Sequence, residues 1–251
     1  VRGSIDVDHF NMQSPQDSYS LDRLQLLAFS QQGARTLKME SDFGEVTLTG
    51  RFDYSTLPQT VANLVGSKLP TLPGLHWNKQ HYNNNFTVSA HITKSDWLNH
   101  FFNVPLTLSQ PLTLTGSIDE KRQMVNVSCD LPQFTYSNND FEQGMVRLST
   151  PNDTLVADVS VRKVNPSGRK TNLSLRAKAA GNRLNTLLAF DNNAATRLQG
   201  SVETETQFFK NDEGQSASHI SIHPSMILVG DTVWNIEPGD IIYSKNRLLV
   251  D

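Results

Sequence analysis

The sequence predicts an all-β protein, a long and mainly antiparallel meander carrying two short helices. Three observations lead there. Apolar and polar residues alternate with period two through much of the chain. The segments between are rich in Asn, Asp, Gly and Pro. Only two stretches switch to helical spacing.

The first alternation is Val1-Arg2-Gly3-Ser4-Ile5-Asp6. Asp42-Phe43-Gly44 reads as a turn, because no Gly-rich loop or H-R-D segment accompanies it as in a kinase. Val46, Leu48, Gly50, Phe52 and Tyr54 then alternate with Thr47, Thr49, Arg51 and Asp53. Leu57, Val61, Leu64, Val65 and Leu69 follow helical spacing and predict a helix over about 57–69, with Ser55 or Thr56 as cap and Pro70 as stop. After a strand at Phe86–Ile92, a second helix is expected over about 95–103. It carries Trp97, Leu98, Phe101 and Phe102, with Ser95 or Asp96 as cap and Pro105 near its end.

Alternation resumes with Leu114, Gly116 and Ile118, then Val125, Val127, Cys129 and Leu131, then Leu155–Val161. Leu173, Leu175, Ala177 and Ala179 form the next apolar set, and Leu198, Gly200, Val202, Thr204, Thr206 and Phe208 a longer one. Turn formers at 138–140, 165–168, 192–193 and 211–214 separate neighbouring strands. Such strands have one dry and one wet face, as in an antiparallel sheet covered on one side.

Four segments share the pattern apolar-x-Gly-x-apolar-acid, with glycines at Gly3, Gly50, Gly116 and Gly200. Their unequal spacing excludes a propeller or a regular solenoid. Each glycine falls on the dry face, where it marks a bend or a close approach by another group. Curling of the sheet is one reading, and room for a ligand chain is the other.

Composition narrows the function. The 251 residues carry a net charge of -3, which favours neither nucleic acid nor an acidic membrane surface. Hydrophobic residues make up 37%, too many for disorder but few for a thick core. One cysteine, Cys129, excludes an internal disulfide framework and a CxxC pair, and its place among apolar residues reads as an inert thiol. His219 and His223 belong to an alternating strand, roughly 13 Å apart and beyond the reach of one zinc ion. Asp6 and Asp8 read as solvated wet-face residues. No nucleophile elbow, P-loop or dinucleotide fingerprint is present, so neither catalysis nor a cofactor is expected. The loop His76–Tyr82 mixes aromatics with polar groups in the manner of a sugar-binding loop.

So many amphipathic strands need cover over their dry faces. A second sheet, closure into a barrel, or one sheet folded lengthwise into a trough would each supply it. A trough would hold an acyl chain at ~0.8 kcal/mol per buried methylene without specific polar contacts.

SDFGEVTLTGRFDYSTLPQ (41–59), leading into the first helix, resembles segments of large TamB-like envelope proteins. So does ISIHPSMILVGDTVWNIEP (220–238). The resemblance, which extends to the AsmA-like proteins and the bridge-like lipid-transfer group, implies an elongated, curved meander folded into a hydrophobic groove, a β-taco-like form. It implies a periplasmic segment of an inner-membrane-anchored protein that carries phospholipid acyl chains toward the outer membrane, with a BamA/TamA-type barrel as partner. No catalytic residue is implied. The groove would be lined by Leu48, Gly50, Phe52, Tyr54, Leu114, Gly116, Ile118, Val125, Val127, Leu173, Leu175, Leu198, Gly200, Val202 and Phe208. The two helices depart from an unbroken groove, since Trp97, Phe101 and Phe102 could plug it. The chain opens without Met and ends in Leu248-Leu249-Val250-Asp251, and is read as one elongated segment of a longer protein. The rival readings are a chaperone for outer-membrane proteins that pairs clients along a sheet edge, a glycan-binding β-sandwich, and, weakest, an enzyme.

Overall fold

The computed structural model describes residues 2–13, 18–244 and 247–250, and the first apolar position of the glycine pattern, Val1, lies outside them. Four strands open the chain as two hairpins: β1 (Arg2–Gln13), β2 (Ser18–Gln31), β3 (Ala34–Ser41) and β4 (Gly44–Arg51). Helix α1 (Leu57–Lys68) and a long loop lead to β5 (Asn85–Ile92), and helix α2 (Asp96–Phe102) leads to β6 (Leu106–Leu108). The meander continues through β7 (Leu112–Asp119), β8 (Met124–Tyr136), β9 (Asn139–Ser149), β10 (Leu155–Val164), β11 (Lys170–Ala180), β12 (Arg183–Asp191) and β13 (Leu198–Lys210). It closes with β14 (Ser216–Ile222), β15 (Ser225–Val229), β16 (Thr232–Ile236), β17 (Gly239–Ser244) and β18 (Arg247–Val250).

All eighteen strands belong to one sheet. Each strand pairs antiparallel with its successor as far as β13, except that β5 pairs with β7, while β6 pairs with the far end of β8. Among the described residues β1, β16 and β18 each pair on one side only, so the sheet is open. Its accessible surface is 15769 Å², against about 11,000 Å² for a compact protein of this mass. That excess is what a single layer with few buried residues produces.

The last strands are creased. β13 pairs with β14 along one half and β15 along the other, and β17 and β16 continue those two alignments. Pro224 separates β14 from β15, and Pro238 separates β16 from β17. Ile222 faces Gly239 and Ser225 faces Ile236, so the prolines interrupt adjacent strands at the same level. Neither can donate to the ladder, which forces the break.

Register keeps one face apolar throughout. Ala28, Leu37, Leu48, Val88, Gly116, Val127, Leu148, Ala157 and Ala177 stand side by side from β2 to β11. A second row runs Val46, Ala90, Leu114, Cys129, Val146, Val159, Leu175, Leu188, Val202. The opposite face carries Thr, Ser and charged residues, with cross-strand pairs such as Arg176 to Asp158 (2.5 Å) and Arg183 to Glu205 (3.2 Å).

The helices form where the spacing placed them, at 57–68 and 96–102. Pro58 lies in the first turn of α1, where its missing N–H costs nothing. Thr56 is the cap position, but its hydroxyl donates to Asp53 O rather than into the helix. Ser95 likewise caps α2 by position only: its Oγ donates to Leu106 O and accepts from Leu108 N, tying the helix to β6.

Two sequence expectations change. β4 ends at Arg51, so Phe52 and Tyr54 lie beyond the strand. Phe52 is buried, while Tyr54 sits in a short turn at 42% exposure, with its ring edge-on to Phe52 and beneath the Arg35 guanidinium. The chain leaves the sheet here because Asp53 turns it, accepting from Ser55 N. The buried stripe of α1 is also rotated. Val61 is exposed, and Thr60, Asn63, Leu64 and Lys68 face inward.

Candidate binding groove

Every strand residue assigned to the groove from sequence falls on the one apolar face, a consequence of an even side-chain period and a register slipped only at one bulge between β9 and β10. What distinguishes these residues is their cover. Leu64 packs with Phe52, Phe86, Ile118 and Val125, with Leu48, Val127, Leu148 and Leu155 around them. Leu69, just past the helix, packs with Ala179 and Phe208, beside Leu72 and Leu184. These strand residues all lie at the same end of their strands. Phe208 and Val125 are therefore groove-face residues that the protein has already covered.

The path of α1 follows from its partners. Thr56 and Thr60 contact Asn84, at the entry to β5, and Thr60 reaches Glu120, at the exit of β7. Lys68 Nζ bonds Gln123 in the same β7–β8 turn (3.4 Å) and pairs with Asp153 in the turn between β9 and β10. Its carbonyl accepts from Asn182 N (2.8 Å), in the turn between β11 and β12. Asn182 also receives Thr71 N–H and donates to Thr71 Oγ1. The segment 57–72 thus lies along the direction in which strands stack, tied successively to the turns of one rim.

This attachment is polar and buried. Glu120, at 1% exposure, accepts from Thr60 Oγ1 (3.2 Å), Asn84 N (3.1 Å) and Tyr82 N (3.1 Å). Asn84 accepts from Asp53 N (3.0 Å) and donates to Thr56 Oγ1 (2.9 Å) and Thr60 Oγ1 (2.7 Å). Each group has partners, as burial demands. Sequence reasoning missed this network, although a signal existed. Asn84 and Glu120 continue the alternation of Phe86 and Ile118 by one step, which puts polar side chains on the dry face.

The loop read as a possible sugar site belongs to the same attachment. Trp77 lies on Gly66, where a Cβ would come within 2.2 Å of the indole, and its Nε1 donates to Pro70 O. Asn63 donates to Gln80 O and accepts from Asn78 N. α1 engages Asn78, Gln80 and the His76 carbonyl, while the His76, Lys79 and His81 side chains are exposed.

Beyond α1's reach the face is open. Leu175, Leu188 and Leu198 are 38%, 44% and 40% exposed, and Val146, Val229 and Trp234 are exposed as well. Leu173, Phe190, Gly200, Ile227 and Trp234 form a row across this region. A depression of about 810 Å³ crosses the same strands on the opposite face, where Met226, Leu228 and Val233 line it beside Arg162, Asn172, Asp191 and Gln199. α2 sits at the opposite rim, where Trp97 meets Phe43 and Tyr19 meets Phe101 and His100. It buries none of its residues fully, and Phe102 stays 66% exposed, so these aromatics decorate the rim.

The glycines mark close approach. A Cβ on Gly50 would lie 2.5 Å from Phe86 Cα, and one on Gly116 would lie 2.7 Å from Val127 Cγ2. At Gly200 the Ile227 and Phe190 side chains stand at 3.0 Å, and of the four glycines of the shared pattern Gly3 alone has nothing within 4 Å. At three of the four, the neighbouring strand occupies the space of the missing side chain. Gly144 repeats this beneath the Phe134 ring, outside the shared pattern.

Burial, then the Asp130 carboxylate, pushes the Cys129 thiol upward, away from reactivity. His219 and Ser221 both bond Asp240 Oδ1, and the Ser221 and His219 contacts hold that carboxyl below its usual range. No helix among the described residues is long and apolar enough to cross a membrane. Comparison with protein families, curated proteins and solved structures finds no match to this chain.

Proposed function

We propose that this chain is a lipid-holding segment of a TamB-like envelope protein, in which the apolar face carries phospholipid acyl chains and performs no chemistry. The observation that carries the reading is the open region around Leu175, Leu188 and Leu198, part of an apolar face that is continuous across the sheet. A soluble monomer rarely exposes so large a contiguous apolar surface without a partner for it. Acyl chains suit it because they need only area, at about 25 cal/mol per Å² removed from water. A periplasmic setting and a barrel partner follow from the resemblance, and they belong to the proposal. The test is lipid extraction from the purified chain followed by mass spectrometry. Phospholipid should co-purify, and Val202→Asp, which puts a charge beside Leu188, should reduce it several-fold while the far-ultraviolet circular dichroism is kept. Protein that carries no phospholipid after exposure to phospholipid vesicles would refute the reading.

A further inference from the structure

The acyl-chain reading leaves open where along the face a chain is held, and α1 answers that. Resting on that reading, we infer that the segment 57–72 is a fixed strap that closes the rim half of the face from β4 to β13 and confines an acyl chain to the other half, which is most exposed along the strip from Val146 to Trp234.

The strap is built to stay. Its inward side combines apolar contacts from Leu57, Leu64, Leu69 and Leu72 with buried polar groups that bond the turns beneath. Thr60 is fully buried and shared between Asn84 and Glu120. Lys68, 3% exposed, reaches two turns with its ammonium and a third with its carbonyl. Lifting α1 would leave several of these groups without partners at once, and each unsatisfied buried group costs about 1–3 kcal/mol. A helix held by apolar contact alone could slide or yield to a lipid tail. This one has fixed registration with Asn84 at the entry to β5 and with three successive turns.

The consequence for a guest is geometric. Phe86, Ile118 and Val125 are at most 8% exposed beneath the strap, so a chain cannot touch them without displacing it. The most exposed part of the unstrapped half crosses β9 to β13, β15 and β16, roughly 29 Å at the usual strand spacing. One leaflet of a bilayer's hydrocarbon core is about 15 Å deep, so the strip accepts one or two chains in file.

The test labels the face directly. The chain is incubated with vesicles of phosphatidylethanolamine and phosphatidylglycerol containing a phospholipid with a diazirine in its acyl chain, then irradiated, digested and mapped by mass spectrometry. Adducts are expected on Leu175, Leu188, Leu198 and Trp234, at least tenfold above Phe86, Ile118 and Val125. Equal labelling of both sets overturns the strap while keeping the lipid reading. Adducts on neither set, or only on the polar face, overturn the lipid reading itself. Asn182→Ala with Thr71→Val, which removes the side-chain ties to the third turn and leaves only the Asn182 N–H to Lys68 O bond, should extend labelling to Ala179 and Phe208. Labelling that stays within the strip although hydrogen exchange finds residues 69–72 released overturns the assignment of the strap as the stop. The map of the unmodified chain decides the main point even if that variant fails to fold.

Discussion

Asn84→Ala tests whether buried hydrogen bonds fasten α1 to the sheet. The side chain is 1% exposed and makes three hydrogen bonds, one accepted from Asp53 N and two donated to Thr56 and Thr60. Its removal leaves the Asp53 N–H without an acceptor, at a cost of about 1–3 kcal/mol. The vacated volume adds about 1 kcal/mol, for a total of about 2–4 kcal/mol. The neighbouring Asn85 is exposed and donates to Asp119 Oδ2 (3.2 Å), so Asn85→Ala should change stability by less than about 0.5 kcal/mol. Urea unfolding followed by circular dichroism reads both, through the midpoint at an unchanged slope. Equal, near-zero effects at the two positions would mean that the network does not hold α1. Asn84→Asp sharpens the case, because it sets a second carboxylate beside Glu120, linked through Thr60. That group's folded pKa would be raised by the like charge. The variant should therefore be weakest at neutral pH and recover as pH falls.

Gly50→Ala should cost more than about 1 kcal/mol, since its φ of +152° and the Phe86 Cα at 2.5 Å both oppose a side chain, whereas Gly3→Ala should be nearly neutral; thermal melts compare the two. The Lys68–Asp153 pair is asymmetric, with Lys68 buried and Asp153 85% exposed. Asp153→Ala, which leaves the buried ammonium with only the neutral Gln123 Oε1, should cost about 2–3 kcal/mol and exceed Lys68→Met in the same denaturation assay. The Asp240 carboxyl, held low by Ser221 and His219, should titrate below an ordinary aspartate in carbon-detected NMR. A lowered folded pKa means its stabilising contribution is present above the unfolded pKa and lost as pH falls through the folded one, so acid should loosen β17 from β14 in hydrogen exchange. Asp240→Asn should remove that dependence.

The strands and the identity of their dry faces were legible in the sequence, because alternation is a property of the local chain. Leu173–Ala179 and Leu198–Phe208 point to one side whatever lies across from them. The existence of α1 was legible for the same reason, from Leu57, Leu64 and Pro70. The tertiary structure decided what covers what. Val61 was as good a candidate for the core as Leu64 by spacing. Only the positions of Asn84, Glu120, Asp153 and Asn182, brought to one rim by the meander, turn Thr60, Asn63 and Lys68 inward instead. Gly50, Gly116 and Gly200 could equally have left room for a guest, and it is the register of the next strand that fills their space. The apolar face is thus written in the period of the side chains. Its division into a strapped half and an open strip depends on contacts between residues as far apart as Thr71 and Asn182, which no local pattern contains.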